Sequence, residues 1–93
     1  MRDIFITYQL RLMQYKDAKT LHLRKTLGNV IKALREKRTG LSCTKLGNEY
    51  GINSKNLNKI ENSLIDCKLI TAWKISEALG LKFSDFSKIL EEE

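Results

Sequence analysis

The strongest constraint on this chain lies between residues 46 and 60. Leu46 and Gly47 stand side by side, Gly51 and Ile52 follow, and Leu57 and Ile60 complete the set. Two short helices joined at a steep angle through a tight turn require that order. The first helix needs an apolar anchor, which is Leu46. Beside it a very small residue must admit the second helix, and Gly47 fills that place. The turn needs a residue that tolerates positive φ, which is Gly51. Ile52 plugs the corner, and Leu57 and Ile60 seat the second helix. Each slot holds the residue type that the geometry demands, which predicts a helix-turn-helix.

The flanking segments supply further helices. From Thr20 onward, Leu23, Leu27, Val30, Ile31 and Leu34 recur at helical spacing. Gly28 interrupts that pattern at a cost of about 1 kcal/mol relative to alanine, so a neighbouring element is expected to approach closely there. This helix one is expected to end near Arg38-Thr39-Gly40. Ser42 is a suitable N-cap for helix two, residues 43–49, with Leu46 and Tyr50 inward. Asn53 caps helix three, residues 54–62. Helix four, 68–79, is broadly apolar through Leu69, Ala72, Trp73, Ile75, Ala78 and Leu79, and is expected at the centre. Gly80 ends it. Helix five, 83–92, carries Phe83, Phe86, Ile89 and Leu90.

The beginning of the chain has a different pattern. Over residues 3–13, Ile4, Ile6, Tyr8, Leu10 and Leu12 alternate with Asp3, Phe5, Thr7, Gln9, Arg11 and Met13. A period of two with β-branched and aromatic residues predicts a strand, although Ile4, Tyr8, Leu12 and Tyr15 also fall near one face of a helix. A lone strand needs a partner for its backbone, and the same strand of a second chain would serve. The expected organisation is an N-terminal arm, residues 1–19, followed by a helical domain, residues 20–93.

Composition narrows the function classes. The 93 residues carry 17 Lys and Arg against 11 Asp and Glu, a net charge of +6. Eight of the basic residues fall between Lys16 and Arg38, against two acids, Asp17 and Glu36. That block favours anionic partners, nucleic acid or an acidic lipid surface. The absence of proline and the low glycine content argue against a turn-rich β-sandwich. Cys43, Cys67 and the single His22 cannot make up an ordinary zinc site or a disulfide scaffold. No cofactor is implied. With no paired nucleophile and base and no glycine-rich phosphate loop, the pattern is not that of an enzyme. No apolar run reaches the ~20 residues needed to span a bilayer, and no secretory signal is evident. A cytoplasmic protein is the expectation.

These residues also carry a family resemblance. Leu27-Gly28 with Ile31, Leu34-Arg35, Leu41-Ser42, Leu46-Gly47, Tyr50-Gly51-Ile52 and Leu57 with Ile60-Glu61-Asn62 resemble the Xre/Cro/phage-repressor-type helix-turn-helix regulators. Ile75, Ala78-Leu79-Gly80-Leu81 and Phe86 continue the match, which spans nearly two-thirds of the chain. The resemblance implies an all-α, five-helix, lambda-repressor-like DNA-binding domain, here with an extra N-terminal arm. It implies a transcriptional regulator, most often a repressor, acting as a homodimer on a palindromic operator. An antitoxin or other protein-interaction module, with the arm binding a partner protein, is the alternative. The chain departs from the family pattern at several places. Cys43 replaces a usual glutamine, Ser63 a usual glycine, Lys68 and Lys82 usual polar caps, and the loop at residues 38–40 is one residue longer.

Carried over position by position, the resemblance assigns base reading to Ser54, Lys55, Asn56 and Lys59. Lysine donates to guanine O6 and N7, and asparagine can pair bidentately with adenine. Asn62 and Ser63 fall where the family touches the sugar-phosphate backbone. Ser42 and Cys43, opening helix two, and Lys37 and Arg38, ending helix one, are further DNA-contact candidates. Arg35 and Glu61 match an internal ion pair and are assigned to structure. A redox role for Cys43 would need a lowered thiol pKa; otherwise Cys43 and Cys67 read as small reduced boundary residues.

Overall fold

Apolar residues from Val30 onward converge on one core, formed by Val30, Ile31, Leu46, Ile52, Leu57, Ile60, Ile75, Ala78, Leu79 and Phe86. The computed structural model describes the backbone of residues 2–92 and the side chains of residues 18–92. The elements in order are α1 (Arg2–Leu34), a π-helical turn (Arg35–Thr39), α2 (Cys43–Tyr50), α3 (Ser54–Glu61), α4 (Leu69–Ala78) and α5 (Phe83–Glu92). The regular elements among the described residues are all helical, with no strand.

The first correction concerns the arm. Residues expected as a strand continue into the first helix without a break, so α1 runs for 33 residues. The physical reason is backbone pairing. An extended segment with no neighbour leaves its N–H and C=O groups unpaired, whereas a helix pairs them within itself. At 1.5 Å per residue such a helix is about 50 Å long, and it accounts for the 57 Å long dimension of a molecule otherwise 25 by 20 Å.

The end of α1 passes into a wider turn. Between Arg35 and Thr39 the helix widens, and the Gly40 amide donates to the Arg35 carbonyl oxygen at 3.1 Å, five residues back. Gly40 at φ 65° closes the turn.

The predicted α2–α3 corner is present in detail. Ser42 caps α2 by accepting from the Lys45 amide at 3.2 Å, and Asn53 caps α3 by accepting from the Asn56 amide at 3.0 Å. Gly51 takes φ 68°, and the Ile52 amide donates to the Gly47 carbonyl oxygen at 2.9 Å. A Cβ on Gly47 would collide with the Ile52 carbonyl oxygen, so only glycine lets the two helices approach this closely. Gly28 meets the carbonyl oxygens of Ile60 and Glu61 in the same manner, which explains its place inside α1.

Other expectations are corrected at the surface. Tyr50 is not inward but 46% exposed. Leu23 also lies outside the core. α4 is apolar but only half central. Ile75, Ala78 and Leu79 are buried, whereas Leu69, Ile70 and Trp73 remain exposed. The Trp73 ring stacks on Phe83 at 4.7 Å between centroids, which covers one face of each.

Candidate nucleic-acid interface

α3 sits on the surface with its two faces sharply different. Leu57, Ile60 and Glu61 are buried, while Lys55, Asn56, Asn58 and Lys59 are exposed and Ser54 is half-buried. The division follows from the sequence. Leu57, Ile60 and Glu61 fall at i, i+3 and i+4 on one side of the helix, leaving the remaining positions to solvent. No acid lies on the exposed side.

The first turn of α2 faces this side. Cys43 and Thr44 line a shallow groove with Ser54, Lys55, Asn58 and Lys59. Of the expected base readers, Ser54, Lys55 and Lys59 are therefore gathered in one place. Asn56 is exposed at the same end of α3, its backbone amide satisfied by Asn53. Thr44 and Asn58 are the groove residues that the motif match did not single out. Their signal was simple helical spacing, since Asn58 lies one turn beyond Ser54 and three residues beyond Lys55.

Beneath the groove is a buried polar clamp. Arg35 Nε and Nη2 donate to Glu61 Oε2 and Oε1 at 2.7 and 2.9 Å, and Arg35 Nη1 donates to the Leu41 carbonyl oxygen at 2.7 Å. The two side chains are only 11% and 4% exposed. The expected internal pair is thus present, fully forked, and ties the π turn that follows α1 to the end of α3. Its hydrogen bonds with Glu61, working against burial, hold the Arg35 guanidinium above its usual pKa.

Cys43 belongs to this clamp as much as to the groove. Its thiol donates to Glu61 Oε2 at 3.3 Å, so it is turned toward the ion pair instead of outward, against its expected place among the DNA contacts. Burial first, then the Glu61 hydrogen bond and charge, push the thiol above its ordinary pKa. That direction is opposite to what a redox-active thiolate at a helix N-terminus requires. Burial alone raises the Cys67 thiol.

Three expected phosphate contacts are otherwise engaged. Arg38 Nε donates to the Leu79 carbonyl oxygen at 2.7 Å, and Nη2 to that of Gly80 at 3.4 Å. Its charge completes the C-terminal end of α4, where carbonyls lack helical partners and cations are favoured. Asn62 spends its amide nitrogen on Asn58, donating to the backbone oxygen at 2.8 Å and to Oδ1 at 3.2 Å. What remains free is an oxygen, which cannot donate to phosphate. Ser63 stands in the left-handed region at φ 64°, and its hydroxyl donates to the Arg24 carbonyl oxygen at 3.3 Å. Its amide and that of Leu64 donate back to Ile60 and Lys59, closing α3 in the manner a glycine usually serves. Lys37 is exposed in the π turn and Ser42 is exposed at the head of α2.

Among the described residues no group of three or more His, Cys, Asp or Glu could hold a metal ion. Nor is any of their helices long and apolar enough to cross a membrane. No family model matches the chain, and no curated protein matches it.

Proposed function

We propose that the chain is a sequence-specific double-stranded DNA-binding transcriptional regulator of the Xre/Cro/phage-repressor type, a repressor by preference, with α3 entering the major groove. The observation that carries this reading is the outer side of α3. It presents Ser54, Lys55, Asn56, Asn58 and Lys59 without an acid, while Glu61, the acid of that helix, is buried on Arg35. The forked ion pair, the close contact at Gly28 and the capped α2–α3 corner hold this surface rigidly. Base-reading groups gain specificity when their scaffold fixes them. The five helices and their order support a lambda-repressor-like arrangement.

The test is retention of fragmented genomic DNA at near-physiological salt by wild type and by the Lys55→Ala/Lys59→Ala protein, with the retained DNA sequenced. Wild type enriches a short inverted repeat and the double variant does not. Equal weak retention by both would overturn the reading. For a homodimer on a palindromic operator, the half-sites lie one helical turn apart, about 34–36 Å.

A protein-contact function beside DNA binding, as in an antitoxin, draws support from one observation. The outer side of α4 leaves Leu69, Ile70 and Trp73 between 48% and 67% exposed. Exposed apolar side chains in adjacent helical positions are usual at protein-contact surfaces.

A further inference from the structure

The amide orientations at the end of α3 restrict which base the helix can read. The chain of reasoning begins at a backbone oxygen. Asn62 Nδ2 lies 2.8 Å from the Asn58 carbonyl oxygen, which can only accept. This contact fixes the Asn62 side chain with its nitrogen toward Asn58. The same nitrogen lies 3.2 Å from Asn58 Oδ1. A reversed Asn58 amide would set two NH2 groups against each other, so Asn58 is fixed as well, its oxygen turned back to Asn62. Its NH2 is the end left for the groove, where Asn58 neighbours Cys43, Lys55 and Lys59.

An asparagine reads adenine by accepting from N6 and donating to N7 together. With Oδ1 turned back to Asn62, the end of Asn58 that faces the groove is its NH2, a donor. Lys55 and Lys59, three residues before and one after, are donors without acceptors. This part of the groove is therefore donor-only. In the major groove guanine presents two acceptors, N7 and O6, whereas adenine pairs its N7 acceptor with a donor, thymine offers the single acceptor O4 beside a methyl group, and cytosine offers a donor.

The geometry points to Asn58 as a specificity-determining residue, oriented by Asn62, that together with Lys55 and Lys59 selects guanine in the DNA half-site. This inference rests on the DNA-binding reading above and goes further by naming a base and the residue that chooses it.

Selection from a random-sequence duplex library with the full chain tests it. Wild type enriches a half-site containing guanine. Asn58→Asp presents only acceptors, so at one position guanine gives way to cytosine, whose N4 donates, with affinity for the original site falling roughly tenfold. Asn62→Ala releases Asn58 Oδ1 and admits adenine at that same position. Asn58→Ala removes the preference there while circular dichroism and melting stay at wild-type values, which separates reading from folding. A wild-type consensus with adenine or thymine at the Asn58-dependent position would overturn the inference, as would a consensus unchanged in Asn58→Asp and Asn58→Ala. A wild type that enriches no sequence at all would overturn the DNA-binding reading with it, whereas a consensus lacking guanine overturns the inference alone.

Discussion

Gly28 of α1 lies so close to the end of α3 that a Cβ there would stand 2.6 Å from the Ile60 carbonyl oxygen and 2.7 Å from that of Glu61. Both obstacles are backbone atoms, which cannot swing aside as a flexible side chain would. Gly28→Ala gains about 1 kcal/mol in helix propensity, but overpacking of this kind costs about 1–3 kcal/mol. The expected result is a net loss of stability, read as a lower urea midpoint at unchanged slope. A variant that gains stability would show that the two helices can separate freely.

The Arg35–Glu61 pair should be costly to break from either side. Glu61→Ala leaves a guanidinium with 11% exposure facing an apolar gap, and losses of about 3–5 kcal/mol follow when one member of a buried pair is removed. Arg35→Lys should recover only part of this, because an ammonium cannot fork onto both oxygens and also reach the Leu41 carbonyl oxygen. Equilibrium urea unfolding of the three proteins checks the order: wild type most stable, then Arg35→Lys, then Glu61→Ala.

The cysteines should be slow and their titration visible in stability. Both thiols have folded-state pKa values above the ordinary one. Iodoacetamide should therefore modify native Cys43 and Cys67 more slowly at pH 8 than it modifies the urea-unfolded chain. The linked contribution to stability is whole below the unfolded thiol pKa, about 8.5. It is lost as pH rises through the higher folded values. Cys43→Ala/Cys67→Ala should flatten that alkaline decline. Native thiols that react as fast as unfolded ones would contradict the buried setting.

On the proposed DNA-binding reading, Arg38 and Lys59 should separate structure from DNA contact. Arg38→Ala loses the hydrogen bond to the Leu79 carbonyl oxygen and is expected to cost about 1 kcal/mol. It should leave the salt dependence of DNA binding unchanged. Lys59→Ala should leave the melting temperature alone while weakening DNA binding. Unfolding curves and binding titrations over a range of salt concentrations give both readouts.

The parts of the fold that could be read from residues alone were those in which geometry admits few residue types. Gly47 and Gly51 stand where a Cβ or a non-glycine φ would be excluded, and Leu46, Ile52, Leu57 and Ile60 fill the corner they create. The Arg35–Glu61 pair, which came from the family resemblance, is present as a fork. Over residues 3–13 the apolar residues satisfy a two-residue and a helical period together, and the deciding factor is the availability of a pairing strand, which no local pattern reveals. Arg38, Asn62 and Ser63 illustrate a different gap. Their partners are backbone carbonyls on α4, α3 and α1, and every residue contributes a carbonyl, so no residue type announces the contact. Tyr50 and Trp73 occupy positions at the margin of the core, where a ring can be covered on one side and wet on the other.

α3 is eight residues long and capped at both ends, which limits how much sequence information it can collect. Eight residues span about 12 Å, against about 3.4 Å for each base-pair step, so a single helix can inspect about four base pairs. A word of that length recurs by chance about once in every 256 positions, far too often to mark one address among the millions of competing sites in a genome. For a DNA-reading α3, uniqueness must come from how many copies bind together and at what spacing, since lengthening the word by other means would require a longer helix than the Asn62–Ser63 stop allows.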